Sequence, residues 1–163
     1  MDLEGKCHTS DYSEHLFGYA SGYPAPVSVE ERRLSLWLRA WAPIFAAGGA
    51  AFYLLPGQVT RSLNRGAERV HLAASPVDAD NLWVVLAMAY MVLITSISQQ
   101  AASDPLRRQD LVRLLVRGKA ASSLGALGYF VVRRRSYAFL VNFILDGAIC
   151  LTTRRLLEDA RRA

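Results

Sequence analysis

Residues 111–132, "LVRLLVRGKAASSLGALGYFVV", form an apolar run long enough for a helix to cross the ~30 Å of a bilayer's hydrocarbon, yet they carry Lys119 well inside. Arg113 and Arg117 precede it at helical spacing i, i+4, so they share a face and can snorkel from the helix start. Lys119 lies two residues beyond Arg117, about 200° around the axis at ~100° per residue. It therefore points away from the arginines, towards other helices. A charge in that position calls for a partner.

Working outward, the rest of the chain repeats the pattern. Of 163 residues, 52% are hydrophobic and 20% charged, and the apolar residues gather in blocks with the charges between them. The blocks predict spans at about 34–55, 81–99, 111–132 and 137–153. The first holds Trp37 and Trp41 near one end, Phe52 and Tyr53 near the other, Pro43 as a candidate kink, and the small-residue core "AAGGAA" at 46–51. Aromatic pairs at both ends match the belts of membrane helices, and small residues let a second helix come close. The reading is an all-α integral membrane four-helix bundle, residues 29–163, behind a poorly ordered polar tail over 1–28.

The connections add detail. Ser28 followed by Glu30 and Glu31 has the form of an N-cap with an acidic first turn. "QVTRSLNRGAERVHLA", 58–73, fits a short amphipathic helix. Val59, Leu63, Val70 and Leu72 would lie on the bilayer surface while Arg61, Arg65 and Arg69 face water. "RRRS" at 133–136 makes a tight turn between the last two spans. The small residues Gly118, Ala121, Ser122, Gly125 and Gly128 suit a third span at the centre of the bundle.

Net charge is +5. The arginines flank the blocks, where they set topology and touch lipid phosphates, and no basic face interleaved with aromatics suggests nucleic acid. With four spans, eleven Lys and Arg fall on the side of the two termini and six on the other, counting the connections and tails. The excess predicts both termini in the cytoplasm, in an inner membrane of bacterial type. The first 35 residues show no apolar stretch with a cleavage site, so no signal peptide is expected.

The fourth span carries Asp146. Counted from a turn centred near Arg134, Lys119 and Asp146 stand at heights differing by three residues, about 4.5 Å at 1.5 Å per residue, which a lysine side chain easily covers. A Lys119–Asp146 ion pair follows, whichever side is cytoplasmic. Ser122, Ser123, Asn142, Thr95, Gln99 and Arg39 fall at comparable depth and complete a candidate intramembrane polar cluster. Such a pair can fix helix register, or it can sit in a hydrated pocket that binds an anion or relays protons.

Other residues carry less. Cys7, His8 and His15 match no metal spacing, and Cys7 with Cys150 makes no disulfide framework. Tyr90 with Met88 and Met91 forms a packing face, His71 an interfacial position, and Asp78 with Asp80 a helix start. No phosphate loop, nucleophile elbow or paired-carboxylate pattern is present, and no metal or cofactor is expected. The sequence supports a non-enzymatic accessory or anchoring subunit that packs against partner helices or a second copy, in contact with lipid. The alternative is a small transport or ligand-binding bundle with the Lys119–Asp146 site open to the cytoplasm. An enzyme acting on a hydrophobic substrate ranks third, because a paired aspartate opposes the depressed lysine pKa that a general base needs.

Overall fold

The computed structural model describes residues 27–75, 81–132 and 135–163, the side chains of 81–83 excepted. The tail expected over 1–28 thus lies outside the described residues but for Val27 and Ser28, as do Cys7, His8, His15, Asp78, Asp80, Arg133 and Arg134.

Among the described residues the fold is all-helical, with five helices: α1 (Val29–Leu54), α2 (Pro56–Arg69), α3 (Asn81–Ser103), α4 (Gln109–Val132) and α5 (Tyr137–Ala160). α1 starts where expected, since the Ser28 hydroxyl accepts the amide of Glu31 at 3.1 Å and Glu30 and Glu31 sit in the positive first turn. It runs unbroken through Pro43. At Pro56 the chain turns by 105° into α2, because proline favours the first turn of a new helix and cannot continue the old one. α2 closes with a Schellman turn: His71 adopts φ 54°, and the amides of His71 and Leu72 return to the carbonyls of Glu68 and Ala67 at 3.4 and 3.0 Å.

The four long helices pack as antiparallel neighbours, α1 along α3 and α4 along α5, with further contacts of α1 on α5 and α3 on α4. Each sends one stripe inward at 3.6-residue spacing. On α1 it is Leu34, Leu38, Ala42, Phe45 and Gly49; on α4, Val112, Leu115, Lys119, Ser123 and Ala126; on α5, Asp146, Ile149, Thr153, Leu157 and Ala160. The α5 stripe extends a full two turns past Thr153, so the helix is 24 residues long, where the sequence suggested an end at 153. Arg154 and Arg155 did not stop it because both point outward.

The expectation of four spans is met in part, and one packing expectation needs correction. By length and apolar composition, α3 over Val84–Ser103 and α5 suffice to cross a membrane, and α1 joins them only if counted with α2 as one bent span. α4 is not among them, its apolar run being diluted by Arg113, Arg117 and Lys119. Nor does α4 sit centrally. A side chain at Gly125 or Gly128 would meet nothing within 4 Å, so these glycines face outward rather than towards the neighbouring helices.

The core is largely apolar but encloses charged and polar groups, while many large apolar side chains face outward. Leu36, Ile44, Leu93, Leu124, Val132 and Ile144 are more than half exposed, while Ser98, Lys119, Ser123, Asp146 and Thr153 are buried. Among the described residues, Lys119 is the largest of the fully buried side chains.

Candidate functional site

The α4–α5 hairpin brings Lys119 and Asp146 together. Nζ of Lys119 donates to Oδ1 of Asp146 at 2.8 Å, with side chains 2% and 5% exposed. Each belongs to its helix's inward stripe, so the register that buries Leu115 and Ile149 also forces the charges inside. Arg117 is exposed, and Arg113 reaches Asp110 at 3.4 Å in the first turn. The division of labour along α4 follows from angle alone.

Two aromatic rings close the other sides of the ammonium. The Phe45 ring centroid lies 4.5 Å from Nζ and that of Tyr90 5.7 Å, within cation–π range. Phe45 ends an aromatic ladder along α1: Trp41 stacks on it at 5.5 Å and meets Trp37 edge-on at 5.6 Å. The Trp37 indole donates to Thr153 Oγ1 at 3.0 Å, so Trp37 ties α1 to α5 from the first half of α1 rather than from its end. Tyr90 donates to the Gly118 carbonyl at 3.4 Å, one residue from Lys119.

The remaining members divide. Asn142 donates to Ser122 Oγ at 3.2 Å, and Ser123 donates to the Phe143 carbonyl at 2.9 Å. Both bonds cross the same hairpin one turn above the ion pair. Gly147 makes this approach possible, since a Cβ there would stand 3.1 Å from Ser123 Oγ. Thr95 instead caps carbonyls, Met91 O at 2.8 Å and Ala42 O at 3.5 Å. Gln99 and Arg39 are exposed and stay outside the cluster. The reason is rotational: Thr95 and Gln99 each follow by one residue the buried Ile94 and Ser98, and Arg39 follows Leu38, so each is turned ~100° from its helix's stripe.

Phe45 and Tyr90 were not assigned to the site from sequence. The spacing of Leu34, Leu38, Ala42 and Phe45 does mark Phe45 as inward, but nothing in the chain gives its height against α4. Chemically, the centre is a neutralised ion pair under two rings, with no solvent-accessible face. No grouping of three or more His, Cys, Asp or Glu among the described residues could hold a metal. Comparison with protein-family models, characterised proteins and solved structures finds no match for the chain.

Proposed function

We propose that the chain is a small integral membrane protein of non-enzymatic type, an accessory or anchoring subunit that packs its outer surface against partner helices. In this reading α1, α3, α4 and α5 form a four-helix transmembrane bundle, and α2 lies along the surface opposite the termini. Both termini face the cytoplasm, and the membrane is of the bacterial inner type.

The observation that carries it is the number of large apolar side chains exposed along the long helices, while the charged pair Lys119–Asp146 is enclosed in an otherwise apolar centre. Extensive exposure of large apolar side chains marks lipid or protein contact. α4, too polar to span by composition, is acceptable within a bundle because its lysine is neutralised by α5 and its arginines face outward from the first half of the helix, from where their long side chains can snorkel. Ala121, Gly125 and Gly128 on the uncovered face of α4 leave room for a further helix to approach backbone to backbone.

The ion pair then serves register. It joins the middle of α4 to the middle of α5, about 15 Å from either helix start, and a one-residue slip of either helix would turn its own charge ~100° away and leave the other unpaired in the core. A transport role for the same cluster is less well supported, since the pair is closed to solvent and its lysine already bonded.

Purification of the tagged chain from its native membrane in mild detergent, with mass and composition read together, tests the proposal. A partner at fixed stoichiometry is the expected result. A lone, stable monomer would overturn the subunit reading.

A further inference from the structure

The most built feature outside the core is where α2 meets the start of α5. The Asn64 side chain holds the Ser75 backbone in both directions, Nδ2 donating to the Ser75 carbonyl at 2.9 Å and Oδ1 accepting its amide at 2.7 Å. Ser75 Oγ contacts Ser136 Oγ at 3.0 Å, and the Ala73 amide donates to the Arg135 carbonyl at 3.0 Å. Tyr137 packs on Gly66 so tightly that any side chain there would strike its ring. α2 is therefore fixed across the head of α5 rather than loosely laid on a surface.

Between them runs a groove of about 670 Å³. Val59, Ser62, Arg65 and Arg69 line it from α2 and Tyr137 and Val141 from α5, and its described lining contains no carboxylate. Two guanidinium groups one turn apart suit a phosphate, for which Arg supplies paired donors. The α5 side continues down the helix, where an acyl chain would lie. We propose that this groove binds the headgroup of an anionic glycerophospholipid, with phosphate between Arg65 and Arg69 and one chain against Val59 and Val141. The inference rests on the membrane reading above, which would place α2 at headgroup level.

The test is native mass spectrometry of the full chain in detergent with phosphatidylglycerol and phosphatidylcholine in equal amounts. Retention of phosphatidylglycerol should fall on the order of tenfold in Arg65→Gln/Arg69→Gln, given what a basic residue contributes near an anionic headgroup. Arg61→Gln, on the same helix but outside the groove, should leave it unchanged, and inorganic phosphate should not displace the lipid. Circular dichroism of each variant checks that the helices persist. Equal retention by Arg65→Gln/Arg69→Gln, or equal loss by Arg61→Gln, overturns the site. Displacement by inorganic phosphate overturns the lipid in favour of a free anion. Alkaline extraction separates the two readings. A wild-type chain that stays in the membrane but shows no lipid preference overturns this inference alone, whereas a chain released to the supernatant overturns the membrane reading and this one with it.

Discussion

Lys119 on α4 donates to Asp146 on α5 across 2.8 Å, and each is the most polar member of an otherwise apolar or small inward stripe. Breaking a buried pair leaves one charge uncompensated and costs about 3–5 kcal/mol, whereas removing both charges can be nearly neutral. Lys119→Met and Asp146→Ala should each lower the thermal unfolding temperature in detergent sharply. The double variant should be more stable than either single one, which requires a coupling larger than the cost of one single variant, at least about 3 kcal/mol. A double variant as unstable as the sum of its parts would show that the residues do not act as a unit.

Phe45 belongs to the same unit from the opposite side, its ring 4.5 Å from the ammonium. A desolvated cation–π contact is worth about 2 kcal/mol, beyond what a leucine of similar volume replaces. Phe45→Leu should therefore destabilise the wild-type protein by more than it destabilises Lys119→Met/Asp146→Ala, where no cation remains. Equal cost in both backgrounds would reduce Phe45 to packing.

That pair was legible in the sequence because an antiparallel hairpin with a short turn converts residue counting into height. Lys119 and Asp146 needed only the turn position and the 1.5 Å rise. Phe45 was not legible in the same way: residues 55–80 separate α1 from α3, and a connection of that length fixes neither height nor rotation between them. Gln99 and Arg39 show the converse error. Their depth was read from the chain, but depth alone does not say which way a residue faces, and one residue off the stripe turns a side chain outward. The end of α5 was missed because Arg154 and Arg155 look like a stop signal, though Leu157 and Ala160 continue the buried spacing beyond them.

Gly66 and Gly57 make a matched comparison within α2. A Cβ at Gly57 meets nothing within 4 Å, whereas at Gly66 it would run into the Tyr137 ring. Glycine to alanine inside a helix is ordinarily worth up to about 1 kcal/mol in favour of the alanine. Gly57→Ala should follow that rule, and Gly66→Ala should reverse it by lifting α2 from α5. Hydrogen exchange of the α2 amides reads this directly: faster in Gly66→Ala, unchanged or slower in Gly57→Ala, and restored in Gly66→Ala/Tyr137→Ala.

Gly125 and Gly128 test the partner reading, because in the chain alone they meet no other helix. Leucine at either position enters open space and removes the helix penalty of glycine, about 0.8–1.0 kcal/mol each. The isolated protein should therefore be as stable as wild type or more so. If that face of α4 receives a partner helix, the same leucines hold the two backbones apart and abolish close packing. Gly125→Leu/Gly128→Leu should then keep its unfolding temperature in detergent yet lose its fixed-stoichiometry partner on purification from the membrane. Leu114→Ala, also outward on α4 but not glycine, should lose much less. Retention of the partner by the glycine variant would move the contact to another face of the bundle, and loss of stability in the isolated chain would mean that these glycines pack inward after all.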